Sequence, residues 1–420
     1  MPNKNELHAE GRRIIELLEH DFVLPSGALT WEKVLGENSE ANLFPDLGDV
    51  VAFVEYFDGH RLIEKQIEVY KKSLKNGILV SQFPTLGIMG FAKSYEYSDL
   101  LLGLIDNFSI NPTETNKKLC VENLEKAIEI FRFDKNISSF YYSTLGWRLP
   151  LIDTRDSMFI EIFLDAEKVF DSPRYGEIAE NIYEKITSSY FFKRNDLLAA
   201  HMPNISGRVV VCKNNTNTLF AWLALYLKTR REDILSSTKR LLSSLESRVL
   251  TKNGGVVMNL YDGKLDASAN LAASFMLLDF SCDMFKFTGE ARALSIAKRI
   301  ADFWLKHQAS TGLFPLKPSS KGSFLDSETD MSVALFKLFE LTGDGRYKSA
   351  AEKCFLGIWQ YHRRDNYPLS VDIESGQTIK NVQRTKFLAL FLKLLILLIS
   401  YDEGKTIYGD KDLWNLLRDR

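Results

Sequence analysis

The stretch DSETDMSVALFK (residues 326–337) decides the fold, because its pattern of a polar cluster followed by an apolar run recurs seven times. The copies are spaced at intervals of about 50 to 60 residues, which suits a repeat unit of two helices and one long loop. Each polar cluster contains Asp, Asn, Ser or Thr, the residues that favour helix N-caps. The other six copies are DLGDVVAFVEYF (46–57), YEYSDLLLGLID (95–106), DTRDSMFIEIFL (153–164), NNTNTLFAWLAL (214–225), DASANLAASFML (266–277) and NVQRTKFLALFL (381–392).

A second set of segments alternates with the apolar ones and has charged residues on one face. Their apolar residues recur at spacings of three and four, which predicts helices that are half exposed. These segments span residues 60–74, 117–131, 174–188, 231–249, 290–308 and 346–362. We predict an all-α fold, a closed (α/α)6–7 toroid or barrel of helical hairpins, in one domain over residues 1–420. Residues 6–20 are expected to form a seventh outer helix that closes the ring against the last inner helix.

The connections between the helices are of two unequal kinds. Inner-to-outer turns are short, and Gly289 and Gly343 are predicted to end helices in the left-handed conformation. Outer-to-inner connections run to about twenty residues with Gly, Pro and aromatic residues, and long loops in a compact domain usually carry function. The working face is therefore predicted at the N-termini of the inner helices. These helices are expected to begin near Asp49, Asp99, Asp156, Asn217, Asn270, Asp330 and Arg384.

Composition limits the possible partners. The formal net charge is −2 with the charges of both signs interspersed, so nothing predicts nucleic-acid binding. The four cysteines are far apart and lack His at ligand spacing, which predicts reduced core thiols and no metal or other cofactor. The polar N-terminus and the short apolar run at residues 387–400, interrupted by Lys393, predict a cytoplasmic protein that does not interact with membranes.

Three phrases within this hairpin pattern resemble the six-hairpin glycosidase superfamily: GLFP (312–315), DSETD (326–330) and LTGDGRY (341–347). This superfamily of α/α toroids includes glycoside hydrolases, sugar epimerases and polysaccharide lyases. The resemblance covers the architecture of nearly the whole chain and points to no single family. It implies that the ligand binds in the funnel at the inner-helix N-termini and that carboxylates at the loop–helix junctions perform the chemistry.

Two acidic junctions contain more acids than helix capping uses. Asp153 and Asp156 flank Arg155 in the first, and Asp326, Glu328 and Asp330 crowd the start of a helix in the second. Glycoside hydrolysis needs two carboxyl groups, one of them protonated, and crowded acids tend to raise one pKa. We therefore predict the catalytic residues among Asp156, Asp330, Asp153, Asp326 and Glu328. The alternative is that these acids are N-caps.

Other polar and aromatic residues near the junctions are candidates for substrate binding. Trp147 could stack on a sugar ring, Arg155 could hold a carboxylate ionised, and Arg384 could meet an anionic sugar. For the tyrosines and asparagines the alternatives are core packing and capping. The predicted binding residues are Asp49, Tyr97, Asp99, Tyr142, Trp147, Arg155, Asn215, Asp266 and Arg384.

The sequence favours a carbohydrate-active enzyme with a small-molecule or oligosaccharide substrate, and first of all a glycoside hydrolase with paired carboxylates in the funnel. A uronic-acid epimerase or a polysaccharide lyase that uses Tyr142, Arg155 and Arg384 is the alternative among enzymes. A noncatalytic toroid that binds a glycan or a protein is the alternative outside them. Neither the sugar nor the oligomeric state follows from the sequence.

Overall fold

The inner layer of the structure consists of seven helices that correspond to the seven apolar segments. They are α2 (Val51–Tyr56), α4 (Ser94–Ile110), α6 (Met158–Phe170), α8 (Cys212–Thr229), α10 (Leu271–Thr288), α12 (Leu325–Thr342) and α14 (Thr385–Asp402). Each helix packs against the next, and α14 packs against α2, so the seven close into a ring. The predicted closed ring is confirmed, with seven hairpins.

The structure is a computed structural model and describes most of the chain. The described residues are 1–34, 48, 50–75, 78–79, 91–133, 141–143, 148–149, 157–188, 209–261, 264–265 and 268–418. Six predicted site residues lie outside them: Asp49, Trp147, Asp153, Arg155, Asp156 and Asp266. The backbone of Tyr142 is described within a strand, whereas its side chain is not.

In the described part of the chain, the outer layer consists of seven helices with one buried face each. They are α1 (Lys4–Asp21), α3 (His60–Ser73), α5 (Glu114–Phe131), α7 (Pro173–Ser188), α9 (Glu232–Val249), α11 (Ala291–Leu305) and α13 (Gly345–Gly357). The six outer helices from α3 to α13, which carry the odd numbers, each pack on the inner helix that precedes them in the chain. The remaining outer helix, α1, packs on α14. The N-terminal helix is therefore the seventh outer helix and closes the ring against the last inner one, as predicted.

Short antiparallel strands form in the long connections, which were predicted as loops without strands. A strand that leads into one inner helix pairs with a strand of the next connection around the ring, as in β10 with β11 and β13 with β1. Backbone pairing therefore joins neighbouring connections at the inner-helix N-termini. The strands are β1 (Glu32–Val34), β2 (Leu74–Lys75), β3 (Ile78–Leu79), β4 (Phe91–Lys93), β5 (Tyr141–Ser143), β6 (Arg148–Leu149), β7 (Val209–Val211), β8 (Asn259–Tyr261), β9 (Lys264–Leu265), β10 (Gly322–Phe324), β11 (Ser370–Asp372), β12 (Thr378–Lys380) and β13 (Val382–Arg384).

These strands also change where three inner helices begin. Helices α4, α8 and α12 were expected to start near Asp99, Asn217 and Asp330, and each starts five residues earlier. Because a strand runs directly into each of these helices, the polar cluster lies inside the first turns of the helix and does not precede it. The N-cap of α12 is Phe324, which supplies no side-chain hydrogen bond. The capping interpretation of the acids in DSETD is therefore wrong.

Capping does account for the start of α10. The Asn270 side chain accepts hydrogen bonds from the backbone N–H groups of Ala272 and Ala273. At the opposite ends of α10 and α12, Gly289 and Gly343 have φ angles of 72° and 69°, so the predicted left-handed helix stops are confirmed.

The apolar run at residues 387–400 and the four cysteines lie in buried parts of the fold. Among the described residues, no helix combines the length and the apolar character that a membrane span requires. The run at 387–400 lies in α14, most of which is buried within the ring. All four cysteines are buried and free, and burial raises the pKa of Cys120 and of Cys212 to about 12. These thiols are core residues.

Candidate active site in the lumen of the ring

Helix α12 places charged side chains on the face that it turns toward the other inner helices. Asp326, Asp330 and Lys337 are separated by four and seven residues, which puts them on one face of a helix. Asp330 is paired with Lys393 of α14, and Lys337 is paired with two aspartates of α10. Because its partners lie on the two neighbouring inner helices, this face points into the lumen of the ring.

Asp326 lies at the mouth of the lumen, in the first turn of α12. Burial raises the pKa of its carboxyl group above the ordinary value. Hydrogen bonds from Ser327 and the positive charges of Lys213 (α8) and Lys386 (α14) oppose this shift. Asp326 thus combines a partly exposed side chain with a carboxyl group that holds its proton more strongly than usual.

Asp330 lies one helical turn, or about 6 Å, further from the mouth. Its Oδ1 atom is 3.2 Å from Nζ of Lys393, and both side chains are largely buried. Because α12 and α14 are neighbours in the ring, this ion pair joins them across the lumen face. Burying either charge alone would cost several kcal/mol, so each group stabilises the other.

A second charged cluster lies about 16 Å below the level of Asp326. Nζ of Lys337 is 2.5 Å from Oδ1 of Asp279 and 3.1 Å from Oδ2 of Asp283, and all three side chains are buried. Burial raises the pKa of Asp279 to about 7, although the charge of Lys337 opposes the shift. One lysine therefore balances two buried carboxyl groups.

The C-terminal residues close this lower end of the lumen. The Tyr408 hydroxyl and the Trp414 Nε1–H both donate to Oδ1 of Asp283, at 2.7 and 3.3 Å. The Ile407 backbone N–H donates to Glu340 of α12, and Arg418 donates to an aspartate of α6. Because α12 and α6 are on opposite sides of the ring, the segment from 407 to 418, which includes α15 (Lys411–Leu417), crosses the lower opening. No pattern in the sequence indicated this closure.

Glu328 lies on the other face of α12, because two residues correspond to about 200° of rotation. Its carboxyl oxygens accept hydrogen bonds from the Phe314 backbone N–H at 2.7 Å, the Ser323 hydroxyl at 2.6 Å and the Cys354 thiol at 2.6 Å. Burial raises the pKa of Glu328 to about 8. The side chain has no exposed surface and points to the outer helix α13, so this placement favours a structural role.

A buried histidine lies next to this group. Nδ1 of His362 is 3.1 Å from the Pro368 carbonyl oxygen, and Nε2 is 3.5 Å from Oγ of Ser323. Burial lowers the pKa of His362 to about 4, so the ring is neutral at physiological pH. In hydrolytic Ser–His–acid triads the histidine lies between the other two groups, whereas here the serine does.

The four predicted binding residues with described side chains, Tyr97, Asp99, Asn215 and Arg384, all lie at the starts of inner helices. Asn215, in the first turn of α8, is buried and donates to the Val211 carbonyl oxygen at 3.0 Å. Arg384 precedes α14, its Nε lies 2.9 Å from Oε2 of Glu32, and its guanidinium lies 4.8 Å from the centroid of the Trp31 ring. Arg384 therefore already has an acidic partner from the connection that follows α1.

Tyr97 and Asp99 occupy the first turns of α4. Tyr97 is fully buried and its ring packs edge-to-face on Phe131 of the outer helix α5, which accounts for its position without a ligand. Asp99 is half-buried, and its backbone carbonyl accepts a hydrogen bond from Gly48.

The first acidic junction leads directly into α6. Asp153, Arg155 and Asp156 lie outside the described residues. Ser157, the next residue, is described and occupies the N-cap position of α6. Helix α6 is three steps from α12 in one direction around the ring and four in the other. The helices that follow the two acidic junctions therefore stand on opposite sides of the lumen.

Several charged residues of the lumen were not identified from sequence as site residues: Lys213, Asp279, Asp283, Lys337 and Lys393. A signal was available, because each of the last four interrupts a run of apolar residues in an inner helix. A charged side chain in a wholly apolar helix requires a buried partner. Within the described parts of the chain, no group of His, Cys, Asp or Glu is arranged to hold a metal ion.

A closed ring of α/α hairpins defines the fold class, which is the α/α toroid. Neither a protein-family model nor a curated protein sequence matches the chain.

Solved structures of sugar-acting enzymes share the fold over nearly their full length. A D-mannose isomerase aligns with a TM-score of 0.61 at 10% identity, over 94% of this chain and 98% of that one. A cellobiose 2-epimerase from Bacillus thermoamylovorans aligns with a TM-score of 0.57 at 12% identity, over 93% and 99%. An unsaturated glucuronyl hydrolase specific for heparin aligns with a TM-score of 0.56 at 10% identity, over 96% and 99%. At these identities the similarity establishes the fold, and the resemblance predicted from sequence is confirmed at that level.

Proposed function

We propose that this protein is a carbohydrate-active enzyme, and specifically a glycoside hydrolase that binds its sugar at the mouth of the lumen. The observation that carries the proposal is the start of α12, where Asp326 and Asp330 point into the lumen and neither caps the helix. An acid at the working end of a toroid that does not cap its helix, as with Asp326, is a candidate for chemistry.

The two acids of α12 differ in the way a hydrolase requires. Asp326 is the proposed general acid, because burial raises its pKa and its side chain remains accessible at the mouth. Asp330, balanced by Lys393, is proposed to bind substrate hydroxyl groups or to act as the carboxylate partner. Asp156, or Asp153, would then supply a carboxyl group from the opposite side of the lumen, where α6 begins.

The lower end of the lumen supports this assignment. With the C-terminal segment across it, the mouth is the natural entrance for a sugar, and the cluster of Lys337, Asp279 and Asp283 forms the floor.

Epimerisation or isomerisation of a sugar is a second candidate, and the ion pair of Lys393 with Asp330 favours it. An amine and a carboxylate in contact within the lumen can exchange a proton, as chemistry next to a carbonyl group requires. Two of the three similar structures described above are a sugar isomerase and a sugar epimerase by name. The earlier alternative that uses Tyr142, Arg155 and Arg384 stays a prediction.

One experiment separates the candidates. The full chain is incubated in D₂O with a panel of glycosides, uronides and free sugars, and both new reducing ends and deuterium incorporation at carbon are followed by NMR. Hydrolysis produces reducing ends without carbon-bound deuterium, whereas proton abstraction from carbon incorporates deuterium. Absence of both, together with saturable glycan or protein binding, would favour the noncatalytic alternative.

The role of Asp326 is tested once a substrate is found. Asp326→Asn should lower turnover by about 10²- to 10⁴-fold, as expected for the loss of a general acid. Because a general acid must be protonated, the wild-type rate should fall as the pH rises through the pKa of Asp326, and the variant should lack this limb. A variant with near-normal turnover and an unchanged pH profile would overturn the assignment.

A further inference from the structure

A pocket on the outer wall of the ring contains three arginines and a tryptophan. It has a volume of about 440 Å³, which is within the range of small-molecule sites. The pocket lies between α1 and the segment that follows α13, and it is lined by Arg13, Trp359, Gln360, Arg363, Arg364 and Asn366. None of these residues belongs to an inner helix, so the pocket is separate from the lumen.

The backbone that forms this pocket is irregular. After α13 the chain forms a π-helical turn (Ile358–His362) and a 3₁₀ turn (Arg363–Asp365). Asn366 and Tyr367 follow with φ angles of 54° and 63°, a conformation that is unfavourable for a side chain as bulky as tyrosine. Turns of the π type and strained residues concentrate at functional sites.

Glu10 holds the arginines in place. Its buried carboxylate accepts hydrogen bonds from Nε of Arg13 at 2.8 Å, from Nε of Arg363 at 2.6 Å and from the Tyr367 hydroxyl. Burial alone would raise the pKa of Glu10, but these hydrogen bonds lower it below the ordinary value. Glu10 is therefore an anion and neutralises one of the three guanidinium groups.

The remaining positive charge faces the pocket. Arg363 uses only its Nε in this network, and within the described part of the chain its two Nη groups make no hydrogen bond. Arg364 donates through Nη2 to the Gly376 carbonyl oxygen, and its Nε is 3.7 Å from Oδ1 of Asp365. The side chains of Arg363 and Arg364 are 41% and 53% exposed, so a ligand can reach both.

Trp359 adds an aromatic surface beside these charges. Its half-buried ring lies with its centroid 4.5 Å from the guanidinium carbon of Arg363. Guanidinium groups bind phosphate, sulfate and carboxylate groups in a bidentate manner, and indole rings pack on the apolar faces of sugars and other rings.

We propose that this pocket is a second binding site, which takes a small molecule that carries an oxyanion on a ring, such as a sugar phosphate or a uronic acid. Arg363 and Arg364 would bind the oxyanion, and Trp359 would pack on the ring. Glu10 positions Arg363 by accepting a hydrogen bond from the Nε of that arginine, which leaves both Nη groups of Arg363 for the ligand.

The test is calorimetric titration of the full chain with glucose 6-phosphate, glucuronate, inorganic phosphate and glucose. We expect binding of the anions that weakens as salt is added, and no binding of glucose at the same concentrations. The two ring anions distinguish a phosphorylated from an acidic sugar as the preferred ligand. If none of the anions produces heat, and none shifts the melting temperature at low salt, the proposal is overturned.

Variants locate the site. Arg364→Ala should weaken anion binding by about 10- to 100-fold, the usual effect of losing a charged hydrogen bond. Trp359→Ala should weaken glucose 6-phosphate more than inorganic phosphate. The matched control is Arg292→Ala on outer helix α11, where the arginine is similarly exposed and paired with Glu246. An equal loss in the control would show nonspecific charge attraction and would contradict the proposal.

A lumen variant separates this inference from the proposed function. Asp326→Asn should leave anion binding unchanged, because Asp326 belongs to an inner helix and the pocket to the outer layer. Loss of binding in Asp326→Asn with retention in Arg364→Ala would place the ligand in the lumen and overturn the second site.

Discussion

The two faces of α12 carry acids from the same five-residue cluster, and the ring uses them in different ways. Asp326 and Asp330 point into the lumen, where the nearest charges are lysines of other inner helices. Glu328 points to the outer layer, where a backbone N–H, a hydroxyl and a thiol surround it. Two residues of separation on a helix thus divide a candidate catalytic carboxylate from a buried structural one.

The difference teaches that a raised pKa alone does not identify a catalytic acid. Burial raises the pKa of both Asp326 and Glu328, and to about 8 for Glu328. Only Asp326 is also accessible from the lumen. Accessibility and the identity of the neighbours therefore decide between chemistry and packing, and burial, more than the crowding of the acids, causes both shifts.

The largest expected effect compares turnover in variants of the two faces. Asp326→Asn should lower the rate on the cognate sugar by about 10²-fold or more, whereas Glu328→Gln should retain most of it, because Glu328 does not reach the lumen. Steady-state kinetics on matched preparations with equal helical circular dichroism provide the measurement. A Glu328→Gln variant as inactive as Asp326→Asn would remove the distinction between the faces.

The floor of the lumen should be sensitive to the loss of its lysine. Lys337→Met leaves Asp279 and Asp283 buried without their cation, which should lower the free energy of unfolding by about 3 to 5 kcal/mol. Lys348→Met is the matched control, because Lys348 is exposed on outer helix α13. Denaturant unfolding of both variants checks this prediction, and equal midpoints would contradict it.

Glu328, on the face of α12 that points to the outer layer, should make the free energy of unfolding depend on pH. With a folded-state pKa of about 8 and an ordinary value of 4.5, Glu328 takes up a proton on folding between these pH values. Its contribution to stability is therefore fully present below about pH 4.5 and is lost as the pH rises to about 8. Glu328→Gln should remove this component, so the difference between variant and wild type in the free energy of unfolding should change across this range. A constant difference would argue against a buried, protonated Glu328.

The smallest effect concerns the two ways in which inner helices begin. Asn270→Ala removes a true N-cap and should cost about 1 kcal/mol of stability. Asp326→Asn should cost no capping energy, because α12 has no side-chain cap. Thermal unfolding of the two variants compares them directly, and a capping loss in Asp326→Asn would revive the interpretation rejected above.

Much of the candidate site lay beyond what could be predicted from the sequence. The polar clusters correctly marked one end of the ring, since Asp326 and Asp330 lie there. Which face of the helix each acid occupies could not be assigned without knowing where the helix starts. The starts of α4, α8 and α12 were misplaced by five residues, because a strand runs directly into each of these helices. The partners of Lys337 and Lys393 lie 54 to 63 residues away in the chain, on different helices.

Local periodicity by itself determined the alternation of inner and outer helices, their order and the closure of the ring by α1, whereas the choice between six and seven hairpins came from the structure. An apolar run without a polar face must be buried on all sides, and a half-polar helix must cover it, so the alternation specifies two layers. Tertiary structure alone decided which acids face the lumen, what balances each charge and what closes the lower end. Those properties depend on burial and on contacts between residues far apart in the chain, and neither is encoded in the spacing of residues within one helix.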